Sequence, residues 1–231
     1  MDNKKATLEL GTKPVGKLLV QYALPAIIAM TASSLYNMID SIFIGQGCGP
    51  LAISGLAITF PFQNLAAAFG AGVGVGAATC ISVKLGQKDY ATAQRIFGIN
   101  ITLNLVVGIV FSIITLSFLN PILIFFGASK DTLPYAREYM EVILAGNVIQ
   151  QLFLGLNAVL RAASKPRHAM AASMLSVLLN VILAPIFIWP LGMGIRGAAW
   201  ATMISQSVAL AWQCRLFSNK NEIMHLRRGI Y

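Results

Sequence analysis

The sequence is 231 residues long, 57% hydrophobic and only 11% charged, with a formal net charge of +9. Soluble domains carry about 25% charged residues, so this composition excludes an ordinary soluble domain and predicts a membrane protein. The positive charge does not indicate a nucleic-acid partner, because fourteen of the 17 Lys and Arg residues fall on one predicted side of the membrane. That bias predicts a multi-pass protein of the inner or plasma membrane with both termini in the cytoplasm.

Six stretches contain no Asp, Glu, Lys or Arg, namely residues 18–39, 41–83, 96–129, 142–160, 169–195 and 197–214. Each can hold one membrane span of about 20 residues, and none alternates as a transmembrane β-strand would. The predicted fold is therefore an all-α membrane protein, a bundle of six transmembrane helices. We place them near residues 17–44, 51–82, 96–118, 136–161, 169–189 and 196–217. Residues 1–16 are interpreted as a cytoplasmic tail, residues 17–217 as the membrane lobe, and residues 218–231 as the start of a cytoplasmic link.

The first span contains Pro25 and the acidic residue Asp40. Because a carboxylate near hydrocarbon costs about 2.5–3.5 kcal/mol on insertion scales, Asp40 suggests a function. Tyr36 and Asn37 lie one turn earlier on the same helical face. The alternative is an interfacial position, since Asp40 lies about 34 Å along the helix from Lys17 and the hydrocarbon core is only about 30 Å thick. An interior proline kinks a helix. Pro25 is therefore interpreted either as part of a helix that moves, as bent helices do in transporters, or as one of the prolines that are common in membrane helices.

The second span contains the glycine-rich sequence GAGVGVGA at residues 70–77. Gly70 with Gly74, and Gly72 with Gly76, have the spacing that allows helices to approach closely. The segment lacks the lysine and serine of a phosphate-binding loop. We therefore interpret these glycines as packing residues.

Residues 121–140 mix apolar and charged side chains and are interpreted as an amphipathic outer connection along the membrane interface. The fourth span then carries the amides Asn147, Gln150, Gln151 and Asn157, most of them on one helical face. Such a face should point into the bundle or into a wet cavity rather than at lipid.

The chain offers no Ser/His/Asp or Cys/His set, no pair of intramembrane carboxylates and no metal-ligand cluster. An enzyme is therefore disfavoured, and neither a metal nor a cofactor is predicted. One buried carboxylate remains among amides and hydroxyls, and this chemistry suits the binding of a proton or a small cation.

Four stretches resemble the multidrug and toxic compound extrusion (MATE) family of secondary transporters. They are LPAIIAMTASSLYNMIDSIFIGQ (24–46), GAGVGVGAATCISVKLGQKDYATAQR (70–95), LNAVLRAASKPR (156–167) and LNVILAPIFIWPLGMGIRGAAWATMISQ (179–206). A member of this family has twelve helices in two related lobes. The resemblance implies that this chain is the amino-terminal lobe and that its partner is a missing carboxy-terminal lobe.

The resemblance also implies roles for individual residues. Asp40 matches the first-helix aspartate of the cation-binding motif, with Asn180 and Thr202 in the same polar pocket. The implied wall of the cavity is formed by Tyr36, Asn37 and Asn157. Pro25 matches the proline at which the first helix of the family is proposed to bend when the aspartate is protonated.

One departure from the family pattern concerns the coupling ion. The fifth-helix motif usually reads LNxxLDPxF, whereas this chain reads LNVILAPIF, with Ala184 in place of a second aspartate. Sodium held by two carboxylates is therefore doubtful, and protonation of Asp40 is the more economical coupling step, although H+ and Na+ both stay open.

The resemblance implies cation-coupled export of amphipathic, cationic drug-like compounds by alternating access through a lipid bilayer. Two alternatives stay open. One is a flippase for a lipid-linked saccharide from the same superfamily, which would need a cationic cavity. The other is a membrane scaffold or half-protein that transports nothing without a partner lobe.

Overall fold

The computed structural model describes residues 14–218 and residue 224. Every regular element in this part of the chain is an α-helix. The helices are α1 (Val15–Cys48), α2 (Pro50–Gly86), α3 (Tyr90–Ser117), α4 (Leu119–Phe125), α5 (Leu133–Ala145), α6 (Asn147–Ala162), α7 (Pro166–Ile188) and α8 (Gly194–Phe217). The predicted all-α class is confirmed, while the predicted tail and link lie mostly outside the described residues.

The helices correspond to the six predicted spans. Helices α1, α2, α3 and α7 are long and apolar enough to cross a membrane, and α5 with α6 form a fifth candidate bent by 57°. Helix α8 is more polar, but its 24 residues are enough for the sixth span. The chain is therefore a six-span bundle in which one span is broken.

Local sequence explains where several helices begin. Gly49 has a φ of +86°, which lets α1 turn directly into α2, and α2 starts with Pro50. Helix α3 is capped by Asp89, whose carboxylate accepts a hydrogen bond of 3.1 Å from the backbone amide of Thr92. Helix α7 again begins with a proline, Pro166. Short turns of this kind keep consecutive spans antiparallel.

The glycine-rich segment packs α2 against α6. A Cβ atom on Gly74 would lie 2.9 Å from the Cα atom of Gly155, and Gly70 is equally enclosed. The packing role predicted for these two glycines is confirmed. It is wrong for Gly72 and Gly76, which have nothing within 4 Å, because they lie on the opposite face of α2.

The structure corrects the interpretation of residues 121–140. Helix α4 ends at Phe125, and α5 begins at Leu133, three residues before the predicted start of the span at residue 136. Tyr139 and Met140 are only 3% and 1% exposed and belong to the core of the bundle. The charged residues of α5 follow one face, so the sequence looked interfacial although the opposite face is buried. The predicted fourth span is also broken at Gly146 rather than continuous.

Candidate functional site

Asp40 lies near the end of α1 and is buried inside the bundle, with 5% of its surface exposed. Its Oδ1 atom has no hydrogen-bond partner among the described residues. Tyr36, one turn earlier, is close enough to interact with it electrostatically. Of the two interpretations of Asp40, the geometry favours the enclosed position over the interfacial one.

Thr202 of α8 joins three helices at this site. Its Oγ1 atom lies 2.9 Å from the Tyr36 hydroxyl of α1 and accepts a hydrogen bond of 2.9 Å from Asn180 Nδ2 of α7. The carbonyl oxygen of Ala198 lies 3.1 Å from the same hydroxyl, which can donate to it. A hydroxyl has one proton and two acceptor positions. Either hydroxyl can donate in the bond between Tyr36 and Thr202, because Thr202 can give its one proton to Tyr36 or to Ala198.

The sequence did not single out Tyr139, which the structure places at the same site. This side chain comes from α5, is buried, and lies near Thr202, Tyr36 and Asp40. Its only sequence signal was an aromatic hydroxyl in an otherwise apolar run. That signal was missed because residues 121–140 were interpreted as an interfacial connection.

The remaining predicted site residues occupy different places. Asn37 is exposed on α1, whereas Pro25 is buried within the same helix, which continues through it. Asn157 is buried, but its Nδ2 atom donates to the carbonyl oxygen of Ala169 at 3.0 Å. Ala169 lies eleven positions before Asn180 on α7, or about 16 Å along a helix. The structure therefore does not bring Asn157 to the Asp40 site.

Ala184 lies one helical turn after Asn180 on α7 and is fully buried. At this position the family pattern has a carboxylate, and here there is a methyl group. Asp40 is the one buried carboxylate among the described residues. In the same part of the chain, no three His, Cys, Asp or Glu side chains lie together as a metal site would require.

The arrangement has a clear chemical consequence. An ionised carboxylate that is buried without hydrogen-bond donors needs a proton or a cation to offset its charge. No described donor lies within hydrogen-bond distance of Asp40 Oδ1, although two tyrosine hydroxyls and the Thr202 hydroxyl are at the site. This geometry is chemically suited to the binding of a proton or a small cation by Asp40.

A second polar group, which we call the amide cluster, lies between α2, α3 and α6. Its members are Asn100, Asn104, Asn147 and Gln151, all at most 1% exposed. Gln151 Nε2 donates to the Ala66 carbonyl oxygen at 2.8 Å, and Asn147 Nδ2 donates to the Gly108 carbonyl oxygen at 3.2 Å. The prediction that the fourth-span amides face the interior is thereby confirmed for Asn147 and Gln151. These bonds join helices rather than line the Asp40 site.

A six-span helical bundle with a broken span and an intramembrane carboxylate has the features of a transporter lobe. The sequence profile of the MatE family matches residues 25–186. The chain belongs to this family, the MATE transporters.

Among its relatives are multidrug export proteins named MepA. The protein of Staphylococcus haemolyticus (strain JCSC1435) is 34% identical over 208 residues, covering 90% of this chain and 46% of the relative. The protein of Staphylococcus aureus (strain NCTC 8325 / PS 47) is 30% identical, covering 91% of this chain and 47% of the relative. The chain therefore spans about half the length of these relatives.

Solved structures agree with this assignment. A crystal structure of MATE in the bent conformation superposes with a TM-score of 0.85 at 30% identity, covering 98% of this chain and 48% of that one. An outward-facing multidrug resistance MATE transporter also gives 0.85, at 31% identity, covering 91% of this chain and 47% of that one. The chain has the fold of one six-helix lobe of such a transporter.

Proposed function

We propose that this chain is the amino-terminal lobe of a cation-coupled exporter of amphipathic, cationic drug-like compounds. The relatives described above are named as multidrug export proteins. Since the chain spans about half of their length, the proposal includes a carboxy-terminal lobe that completes the transport cavity. The proposal includes a plasma-membrane location with both termini in the cytoplasm, which the distribution of basic residues supports.

The observation that carries the proposal is the unpartnered oxygen of Asp40 beside a hydrogen-bonded set of hydroxyls and amides. The Thr202 hydroxyl holds Tyr36 and Asn180 in place, so the site is organised before any cation enters. Ionised Asp40 would bind a cationic substrate or the coupling ion. Protonated Asp40 would release it and could itself donate a hydrogen bond to a neighbouring oxygen.

We propose H+ rather than Na+ as the coupling ion. Sodium is bound best by several oxygen ligands that include carboxylates, and Ala184 supplies none. A proton needs only the one acidic side chain. The two protonation states must differ in their preferred conformation, or no work can be coupled. We assign that difference to α1, with Pro25 as its point of bending.

The flippase alternative has no comparable support. It expects a cationic cavity, and the described side chains around Asp40 are a threonine, an asparagine and two tyrosines. Basic side chains in the described part of the chain lie instead near helix ends, as Arg161 and Arg215 do.

The test measures proton release on binding. The purified chain is placed in weakly buffered detergent solution, and a fluorescent lipophilic cation is added while pH and fluorescence are recorded. We expect about one proton released per cation bound near the pH at which Asp40 titrates, because the two compete for one carboxylate. Asp40→Asn should abolish the release, while the exposed Asp131→Asn serves as the matched control.

The same variants are then compared for transport after reconstitution with a carboxy-terminal lobe in liposomes under a pH gradient. Asp40→Asn should not move the cation against its gradient, and Asp131→Asn should. An Asp40→Asn protein that still concentrates the cation at the wild-type rate would overturn the proposed mechanism.

A further inference from the structure

The broken span between α5 and α6 leaves a gap in the backbone hydrogen bonding of the bundle. The two helices meet at Gly146 and are bent by 57°. Across the break, the Gly146 amide donates to the Val142 carbonyl oxygen at 3.1 Å. A helical carbonyl normally accepts from the amide four residues later. For Leu144 that residue is Val148, on the far side of the break, so its buried carbonyl needs another donor.

Ser112 of α3 supplies this donor. Its hydroxyl donates to the Leu144 carbonyl oxygen at 2.8 Å, in a buried bond between residues 32 positions apart. The hydroxyl of Ser117, on the same helix, instead donates to Ile113 of its own helix at 2.8 Å. Serines in membrane helices commonly bond their own helix in this way. Ser112 is therefore in a position to hold one helix against another.

The two sides of the break make different polar contacts, although α5 and α6 each pack against both α2 and α8. The α6 side is fastened to α2 and α3 by the amide cluster, in which Gln151 bonds Ala66 and Asn147 bonds Gly108. The α5 side is directed to α8, where Tyr139 meets Thr202 and where Glu141 forms an ion pair of 3.3 Å with Arg196. The break thus lies between the amide cluster, which fixes α6 to α2 and α3, and the polar contacts of α5 at the Asp40 site.

The break also lies directly beside the site. A Cβ atom on Gly146 would lie 2.0 Å from the Sδ atom of Met203, the residue that follows Thr202 on α8. A change of the angle between α5 and α6 would therefore move Tyr139 and press on α8 near the Thr202 hydroxyl. The Ser112 bond spans the break from the fixed side.

We propose that Ser112 is a positioning residue for the Asp40 site. Its bond to the Leu144 carbonyl sets the angle at which α5 leaves α6 and thereby places Tyr139 against Thr202 and Asp40. The consequence for transport rests on the proposed function, but the positioning itself can be measured without transport.

The test compares three variants of the purified chain in lipid nanodiscs: Ser112→Ala, Ser112→Thr and the control Ser117→Ala. Hydrogen exchange followed by mass spectrometry reports opening of residues 139–148. Losing the buried partner of the Leu144 carbonyl should speed this exchange about tenfold in Ser112→Ala. Exchange in the rest of α6 should stay unchanged, since the amide cluster is intact. Ser112→Thr keeps the hydroxyl and should restore slow exchange, and Ser117→Ala should match the wild type.

The second readout is the rate at which a hydrophobic carbodiimide labels Asp40. We expect this rate to change several-fold in Ser112→Ala and to return towards the wild-type rate in Ser112→Thr. Unchanged exchange around Gly146, or changed exchange with an unchanged labelling rate, would each overturn the proposal. Failure of the proposed function would appear elsewhere, as a wild-type chain that releases no proton when it binds the lipophilic cation.

Discussion

The contact between α2 and α6 allows a paired test of how closely two membrane helices must approach. Gly74 is buried at this contact, and a Cβ atom there would lie 2.9 Å from Gly155 Cα and 3.3 Å from the Ala158 side chain. Gly76, two residues later on the same helix, has nothing within 4 Å. Both glycines lie inside the helix without a positive φ. Gly74→Ala and Gly76→Ala therefore differ only in what the added methyl group meets.

The expected magnitudes follow from two opposing effects. Replacing a helical glycine by alanine favours the helix by about 1 kcal/mol at either position. At Gly74 the atom nearest to the added methyl group is the backbone Cα of Gly155. Because a backbone atom cannot turn aside, the two helices must separate, and overpacking of this kind costs about 1–3 kcal/mol. Gly76→Ala should thus be neutral or stabilising. Gly74→Ala should be less stable than Gly76→Ala by about 1–3 kcal/mol, or roughly 6 °C in Tm for a chain of this size at the middle of that range.

The measurement is thermal unfolding of both variants in one detergent, followed by tryptophan fluorescence. Wild-type protein in the same run supplies the reference Tm. If both variants unfold within about 1 °C of each other, the close approach of α2 and α6 does not contribute to stability. The interpretation of Gly74 as a packing residue would then be refuted.

Three further changes give sharp expectations. Thr202→Val removes the hydroxyl shared by three helices and should cost about 1–3 kcal/mol in unfolding free energy, whereas Thr79→Val removes an exposed hydroxyl that bonds its own helix and should change little. Ala184→Asp should make binding of the lipophilic cation depend on Na+, as measured by titration with and without NaCl. Identical curves would contradict the argument that the chain uses H+ because it lacks this second carboxylate. The pKa of Asp89 is lowered because its carboxylate accepts from Thr92, so its stabilising effect should be present at neutral pH and be lost as acid protonates it. Asp89→Asn should remove that acid dependence from the unfolding midpoint, and an unchanged pH profile would show that the cap is not the cause.

The sequence predicted much of the fold because charge and apolar length constrain a membrane helix strongly. The positions of α1, α2, α3, α7 and α8 follow from uncharged stretches, with differences of only a few residues at most ends. Asp40 could be named because one isolated carboxylate stands out in such a chain, whereas Asn180 and Thr202 were named only from the family resemblance. What could not be predicted was how a span bends. At the break near Gly146, Ser112 bonds a carbonyl oxygen 32 positions away, and no local sequence pattern indicates that contact.

Asn157 and Tyr139 show that the contacts of a polar residue cannot be predicted from its position in a helix. Both are polar residues within long helices, and sequence spacing gives each a face but not a neighbour. Asn157 bonds the beginning of α7 rather than its middle, so its amide is used to join helices. Tyr139 was set aside with the charged residues around it, although its face of α5 is buried. Which polar group joins helices and which forms a site is decided by the packing of distant segments.

The hydrogen bonds themselves distinguish the two uses of buried polarity in this lobe. At Thr202, the hydroxyl contacts Tyr36, Asn180 and the Ala198 carbonyl oxygen, so three hydrogen-bond partners fix the side chain. Asp40 beside it has an oxygen with no described donor. A carboxylate in this setting is satisfied when it carries a proton and is left to attract a cation when it does not. Under the proposed function, such a site would change its charge without rearranging its neighbours, and the movement that follows would come from the helices that hold Asp40 and Tyr139.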